Sequence, residues 1–208
     1  MRLNKKKLSI AIITHNEEER LPDCLHSAAF ADEVVVVDSG STDRTLEIAE
    51  SFGAKVFNES WRGFGAQKQF AIEQCAGDFI LLLDADERLP PETAAEIKDI
   101  LNAASCEAYS LPRKNYFLNR WIRHAGWWPD RSTRLFKRGN ASMPPQLVHE
   151  SLRVQGRTGE LACPIIHYPF RDISQMMLKM DKYSTAGALE LHSKGVGSSY
   201  SKAVFRAA

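Results

Sequence analysis

The chain has 208 residues, of which 44% are hydrophobic and 25% charged, as in an ordinary soluble globular protein with a substantial core. The formal net charge is only +1, so no overall electrostatic field favours nucleic acid as a partner. The four cysteines form no C-x-x-C pair and no apolar run approaches the ~20 residues of a membrane span, so we predict a cytoplasmic protein with free thiols.

Strand-like and helix-like segments alternate through the first half of the chain. In chain order the predicted elements are a strand at 8–15, a helix at 19–30, a strand that begins at 33 and runs into a Gly/Ser turn, a helix at 44–52, a short strand at 54–59, a helix at 64–75, a strand at 78–86 and a helix at 91–104. Strands that are apolar on both faces and alternate with helices are typical of a mostly parallel sheet covered by helices on both sides.

The character of the sequence changes at about residue 105. Aromatic residues, arginines and prolines become dense, and the alternation of strands and helices is lost. We find no linker, internal repeat or low-complexity stretch. The sequence therefore predicts one α/β domain over 1–208, with a ligand-binding half at 1–104 and an irregular extension of that domain at 105–208.

Polar side chains follow three of the predicted strands where each strand ends. These clusters are Thr14 to Glu17, Asp38 to Ser41, and Asp84 with Asp86. Ligands of open α/β sheets bind in the crevice at the carboxyl ends of the strands, so we expect the three clusters to form one site. Taken singly, each cluster could also be an ordinary turn or helix cap.

The sequence lacks the two common phosphate-binding loops. Gly63-Phe64-Gly65 is followed by Lys68 where a dinucleotide fingerprint needs its third glycine, and no P-loop pattern is present. Asp84 and Asp86 could instead bind phosphate through Mg²⁺ or Mn²⁺, which prefer oxygen ligands. A bound metal and diphosphate would also relieve the repulsion between the two carboxylates.

The order of these motifs resembles that of the family 2 inverting glycosyltransferases with the GT-A fold. The motifs are THNEE at 14–18, VVVVDSGSTDRT at 34–45 and GDFILLLDADE at 77–87. The resemblance is clear over residues 8 to 90 and weaker to about 170. RLF (134–136), VHE (148–150) and IIHY (165–168) are similar, more particularly, to the bacterial lipopolysaccharide-core glucosyltransferases of that family.

The resemblance implies a role for each motif residue. Thr14, Asn16 and Glu17 would line the nucleoside pocket, with Asp38 on the base and Ser41 near it. Gln67 and Lys68 would contact the nucleotide and its phosphates, Asp84 would touch the ribose, and Asp86 would hold the metal. His167 would complete the metal shell, although a lone histidine there is also typical of a core or capping position.

Inverting transfer needs one general base that takes the proton of the acceptor hydroxyl. The family commonly has an acidic base in a Glu-Asp pair, and this chain has His149-Glu150 at the matching place. The resemblance therefore implies Glu150 as the base, with Asp130 as the rival. A surface ion pair is the alternative role for Glu150.

Residues 113 to 138 contain eight basic residues and a single acid, Asp130. The basic residues are Arg113, Lys114, Arg120, Arg123, Arg131, Arg134, Lys137 and Arg138. Arginines interleaved with aromatic residues can bind nucleic acid, but beside a nucleotide-sugar pocket an anionic glycan or glycolipid acceptor is the better interpretation. A solvated basic face with core aromatics is the alternative.

The segment from Arg171 to Arg206 carries more bases than acids close to apolar Met176, Met177 and Leu178. This composition would suit contact with a membrane surface, at the inner face of the cell membrane.

The sequence thus predicts a metal-dependent inverting glycosyltransferase that transfers a hexose, with glucose preferred, from a UDP-sugar to a lipopolysaccharide-core acceptor. A sugar-nucleotide nucleotidyltransferase is one alternative, although THNEEER after the first strand lacks the glycines such an enzyme needs. A non-catalytic carbohydrate- or nucleotide-binding module is the other, and it would have no need of Glu150 or Asp86.

Overall fold

A parallel sheet of four apolar strands occupies the first half of the chain. The protein is described here by a computed structural model, which covers residues 5–144, 151–193 and 195. The four strands are β1 (Leu8–Thr14), β2 (Glu33–Asp38), β3 (Lys55–Asn58) and β4 (Phe79–Leu82), and they lie in the order β3-β2-β1-β4. All three pairings among them are parallel, as predicted.

Helices cover both faces of this sheet because alternate residues of each strand point to opposite sides. The helices are α1 (Leu21–Ala28), α2 (Thr45–Ser51), α3 (Phe64–Gln74) and α4 (Pro91–Ala103). Ile10 and Ile12 of β1 join a core cluster with α1, α2 and α4, whereas Ala11 joins a second cluster with α3. The predicted α/β sheet with helices on both sides is confirmed.

The second half of the chain is more regular than predicted. β6 (Ala108–Phe117) pairs with β8 (Arg131–Lys137), and β8 pairs antiparallel with β4, so the same sheet continues into the second half. The remaining elements are β5 (Glu87–Arg88), β7 (Arg120–Trp121), β9 (Ala141–Ser142), β10 (Arg153–Val154), β11 (Thr158–Glu160), β12 (Ile165–His167) and α5 (Ile173–Ser193).

Two short pairings at the far end of the sheet bring polar residues into one row. β12 lies between β6 and β5, and in its register His167 is opposite Asn115 on one side and Glu87 on the other. Side chains opposite each other on neighbouring strands point to the same face of a sheet. The Nε2 of His167, in the middle of the row, lies 3.6 Å from the Oδ1 of Asp86. Within the described part of the chain, no helix is long and apolar enough to cross a bilayer.

Candidate active site

The loop after β2 is built around the carboxylate of Asp38. Its Oδ2 accepts hydrogen bonds from the backbone N–H groups of Gly40 (2.9 Å) and Ser41 (2.7 Å), and its Oδ1 accepts from the hydroxyls of Thr14 (2.9 Å) and Ser41 (2.5 Å). Gly40 has a φ of +87°, a left-handed conformation that glycine adopts without strain. Because Asp38 is fully buried, its role in this structure is to shape the loop, and its contact with a base stays a prediction.

The loop after β1 is hydrogen bonded to the loop after β2. The backbone N–H of Asn16 donates to the Oγ of Ser41, and the N–H of Glu17 donates to the Oγ1 of Thr45, both at 2.8 Å. Burial raises the pKa of the Glu17 carboxyl above its ordinary value. The structure therefore brings together the five residues predicted to form the nucleoside pocket, which are Thr14, Asn16, Glu17, Asp38 and Ser41.

Asp84 and Asp86 lie in a tight turn that follows β4. The backbone N–H of Glu87 donates to the carbonyl oxygen of Asp84 (2.9 Å), and the N–H of Asp84 donates to the Oε2 of Glu87 (3.0 Å). Two hydrogen bonds thus close the turn from both sides. Since β4 is parallel to β1, the turn lies at the same edge of the sheet as the two loops above, as predicted.

Cations of the protein itself neutralise Asp84. The Nη2 of Arg134 lies 2.8 Å from the Oδ2 of Asp84 and 2.9 Å from the Oε1 of Glu87, and the Nζ of Lys68 lies 3.0 Å from the Oδ1 of Asp84. Burial alone would raise the pKa of Asp84, but Arg134 and Lys68 lower it well below its ordinary value. Asp84 is therefore a carboxylate that needs no metal to remain ionised.

Gln67 and Lys68 lie in the first turn of α3 and point to different places. Gln67 is buried, and its Nε2 donates to the carbonyl oxygen of Glu59 (2.9 Å). Lys68 reaches the aspartate turn. Of the two residues predicted to contact the nucleotide, Lys68 is the one placed to meet a phosphate, and both contacts stay predictions.

Asp86 makes longer contacts than Asp84 does. Among the described residues, its ion-pair contacts are with the Nη1 of Arg20 and the Nε2 of His167, each at 3.6 Å. Burial would raise the pKa of Asp86, but the neighbouring His167 outweighs it and holds the pKa below its ordinary value. Asp86 therefore retains oxygen lone pairs for a ligand.

The pair of Asp86 and His167 fits the metal that the resemblance implies. A carboxylate oxygen and an imidazole nitrogen are both suitable donors for Mn²⁺, and the carboxylate for Mg²⁺. The described residues contain no cluster of three or more His, Cys, Asp or Glu side chains that could hold a metal. Diphosphate oxygens and water would have to complete the shell, as is usual for Mg²⁺ in phosphate-binding sites.

Asp130 contacts two neighbours, Arg113 and Asn115, and Asn115 also contacts His167. Its Oδ2 lies 2.8 Å from the Nη2 of Arg113 and accepts a hydrogen bond from the Nδ2 of Asn115 at 3.0 Å. Burial alone would raise the pKa of Asp130, but Asn115 and Arg113 lower it below its ordinary value. A lowered pKa makes Asp130 a weak general base. Glu150, the other predicted base, lies outside the described residues.

Two open cavities occur in this region: His167 lines one, and its neighbour Tyr168 lines the other. One has a volume of about 360 Å³ and is lined in part by Asn115, Trp127, Asp130, His167 and Phe170. The other has a volume of about 510 Å³ and is lined in part by Glu19, Arg20, Asp23, Arg88, Tyr168 and Arg171. Aromatic surfaces next to polar side chains, as in the smaller cavity, are suited to a sugar ring.

Among the described residues, acids form ion pairs with four of the eight bases between 113 and 138. These four are Arg113, Arg131, Arg134 and Lys137. Lys114 and Arg123 lie over the ring of Trp121, at 4.3 and 4.2 Å from its centre, and Arg120, next to Trp121 in β7, is exposed. The basic surface available to an acceptor is therefore smaller than the sequence suggests, and it is centred on Trp121.

Four residues shape the site through contacts that were not predicted. They are Arg20, Arg113, Asn115 and Arg134, which contact Asp86, Asp130, His167 and Asp84 respectively. Arg113 and Arg134 were predicted only as part of a basic stretch that meets an acceptor, and the RLF motif that contains Arg134 does not indicate its partner.

Comparisons with known proteins agree with this geometry. Residues 9–154 match the model of the family described as Glycosyl transferase family 2. The chain is 33% identical over 210 residues to the lipopolysaccharide core biosynthesis glycosyltransferase LpsC of Rhizobium meliloti, covering 97% of this chain and 77% of LpsC. In the crystal structure of residues 1–349 of S. aureus TarS, the likeness covers 78% of this chain and 60% of that one, with a TM-score of 0.61 and 20% identity.

TarS has also been crystallised with UDP-GlcNAc, and that structure matches with a TM-score of 0.59 and 18% identity over 82% of this chain and 60% of that one. The likeness to TarS shows the GT-A fold that the motifs predict. The family model covers more than half of the chain, and the identity to LpsC extends over nearly all of it. This chain is a glycosyltransferase and belongs to glycosyltransferase family 2.

Proposed function

We propose that this glycosyltransferase transfers a hexose, with glucose preferred, from a UDP-sugar to a lipopolysaccharide-core glycan, with inversion and with the help of a divalent metal. The observation that carries the proposal is the pairing of Asp86 and His167, 3.6 Å apart, at the carboxyl end of β4. The name of LpsC supports the class of acceptor. TarS, which shares the fold, supports a UDP-sugar as the class of donor.

Membership of the family decides against the two alternatives drawn from the sequence, a nucleotidyltransferase and a non-catalytic binding module. The sequence contains the motif residues to which the resemblance assigns transfer. Loops at the ends of β1 and β2 would hold the nucleoside, and Lys68 would meet the phosphates. Asp86 and His167 would hold a divalent cation, whose positive charge would stabilise the departing diphosphate.

The general base that we propose is Glu150. Asp130 is a poorer candidate because Arg113 and Asn115 occupy its Oδ2 and lower its pKa. We assign Asp130 instead to binding an acceptor hydroxyl in the 360 Å³ cavity that it lines with His167.

A nucleotide-binding screen tests the donor and metal parts of the proposal. The melting temperature of the enzyme should rise with UDP and UDP-hexoses in the presence of Mn²⁺, and the rise should shrink when a chelator is added. Asp86→Ala should abolish the metal-dependent part of UDP binding, measured by calorimetry. Equally tight UDP binding with chelator, in the wild type and in Asp86→Ala, would defeat the metal assignment.

A lipid-linked acceptor would place the enzyme at the inner face of the cell membrane, and helix α5 offers a surface for such contact. Ile173, Met177 and Met180 are 56%, 58% and 56% exposed, and their helical spacing puts them on one side of α5. In a flotation assay with anionic vesicles, the wild type should float and a Met177→Gln, Met180→Gln variant should float less. Equal behaviour of the two proteins would remove α5 from the proposal.

A further inference from the structure

Asn115 links the two predicted functional acids through His167. It lies in β6, is 5% exposed, and makes three side-chain hydrogen bonds. Its Nδ2 donates to the carbonyl oxygen of Trp127 (3.0 Å) and to the Oδ2 of Asp130 (3.0 Å), and its Oδ1 lies 2.7 Å from the Nδ1 of His167. The other ring nitrogen of His167, Nε2, is 3.6 Å from the Oδ1 of Asp86.

The surroundings of Asn115 determine which end of its amide faces the histidine. The carbonyl of Trp127 and the carboxylate of Asp130 can only accept hydrogen bonds, so the NH₂ group must point toward them. The amide oxygen then faces His167, and an amide oxygen can only accept. The hydrogen bond at 2.7 Å therefore requires a proton on the Nδ1 of His167.

With Nδ1 hydrogen bonded to the amide oxygen of Asn115, Nε2 is the ring nitrogen left for a ligand. Nε2 lies 3.6 Å from the Oδ1 of Asp86, so two donors for a cation are side by side. A divalent cation bound by both would take the place of any proton on Nε2, while the hydrogen bond to Asn115 keeps the proton on Nδ1.

We propose that Asn115 is a positioning residue for the metal site, because it holds His167 in the tautomer whose Nε2 can bind a divalent cation together with Asp86. The inference rests on the metal-dependent chemistry proposed above. Outer residues that fix the tautomer of a ligating histidine typically change metal affinity by ~10- to 100-fold when they are removed. Through Asp130, which lines the smaller cavity, the same amide also connects the metal site to the acceptor side.

The tautomer can be observed directly in the wild-type protein. With ¹⁵N-labelled histidine, NMR spectra of the metal-free enzyme at pH 8 distinguish Nδ1–H, Nε2–H and doubly protonated rings. The chain has six histidines, and the spectrum of a His167→Gln variant identifies the signals of His167. We expect a proton on Nδ1. A ring with its proton on Nε2 and none on Nδ1 would overturn the inference without bearing on the rest of the proposed function.

Metal affinity provides the second readout. We expect Mn²⁺, titrated by calorimetry in the presence of saturating UDP, to bind Asn115→Ala ~10- to 100-fold more weakly than the wild type. Asn140→Ala is the control, since among the described residues the side-chain amide of Asn140 donates to the exposed carbonyl of Gln155 at 3.3 Å and contacts no predicted site residue. It should leave the affinity unchanged.

Thermal unfolding and the ¹⁵N spectrum of Asn115→Ala guard against a simple folding defect of the alanine variant. In a folded variant that lacks the amide oxygen, the ring of His167 should no longer be held with its proton on Nδ1. Equal Mn²⁺ affinities of the wild type and a folded Asn115→Ala, or an unchanged Nδ1–H signal in that variant, would overturn the inference. Absence of Mn²⁺ binding to the wild type in the presence of UDP would instead refute the metal dependence in the proposed function, and the inference with it.

Discussion

Replacing Arg134 by methionine should destabilise the enzyme more than any other single removal of a charge between 113 and 138. The Nη2 of Arg134 contacts both Asp84 and Glu87, at 2.8 and 2.9 Å, and the side chain of Arg134 is only 6% exposed. Methionine fills a similar volume but leaves the two carboxylates without this cation. Removing one partner of a buried ion pair costs about 3–5 kcal/mol of unfolding free energy.

A loss of that size is easy to measure by thermal unfolding. For a chain of this length each kcal/mol lowers the melting temperature by roughly 2–4 °C, so Arg134→Met should melt about 6–20 °C below the wild type. Arg138→Met is the control, because Arg138 is exposed at the end of the same strand and should change stability by less than about 0.5 kcal/mol. Adding Glu87→Gln to Arg134→Met should restore part of the loss, since it removes one of the unpaired charges.

The stability difference between Arg134→Met and the wild type should also depend on pH in a defined direction. Arg134 and Lys68 lower the pKa of Asp84 against the effect of burial. Their ion pairs with Asp84 therefore stabilise the wild type at pH values above the ordinary pKa of aspartate, ~3.9. The stabilisation is lost as the pH falls from there toward the lowered pKa of the folded protein. The difference in unfolding free energy between Arg134→Met and the wild type should therefore be largest at pH 7 and should decrease below about pH 4. A loss no greater than that of Arg138→Met at pH 7 would refute this account of the aspartate turn.

Two further predictions concern catalysis. Glu150→Gln should preserve UDP binding and lower the rate of transfer by ~10²- to 10⁴-fold, whereas Asp130→Asn should lower that rate much less. If Asp130→Asn causes the larger loss in a transfer assay and Glu150→Gln the smaller, Asp130 is the base. Replacing both Arg120 and Arg123 by glutamine should raise the KM for a phosphorylated core acceptor and leave the KM for the donor nearly unchanged. Added salt should mimic that change, because exposed charges are screened over ~8–10 Å, and indifference to both treatments would show the basic surface to be solvated only.

The first half of the fold could be predicted from the sequence because its signals are local. Each strand of the parallel sheet is a short apolar run, and each is followed within a few residues by turn residues and a helix. The clusters at 14–17, 38–41 and 84–86 then converge for a purely topological reason, since parallel strands end at the same edge of the sheet.

The second half could not be predicted because its strands lack those signals. β6 contains Pro112 and several polar residues, so its sequence AYSLPRKNYF shows no clean alternation. Its regularity depends on pairing with β8, which begins at Arg131 and is separated from it by a long irregular segment. Long-range pairing of this kind leaves little trace in a local pattern.

The sequence also did not predict which residues pair with the charged residues of the site. Arg134 lies 50 positions from Asp84, and Asn115 lies 52 positions from His167. Eight basic residues occur between 113 and 138, and composition alone cannot tell which of them turns inward. The sequence suggested that a metal and a diphosphate neutralise both aspartates, whereas in the structure Asp84 already has its cations within the protein.

This difference between the two aspartates has a consequence for the order of events at the site. If Asp84 and Asp86 were both unpaired, their repulsion would act against the folded turn whenever no metal was bound. Arg134 and Lys68 neutralise Asp84 permanently, so Asp86 can remain ionised with only longer contacts to Arg20 and His167. If the proposed donor binds here, the charge that it needs would be in place before it arrives, and binding would require little reorganisation of the turn. Through the contact of Arg134 with Asp84, strand β8 of the antiparallel second half contributes directly to the site at the end of the parallel strands.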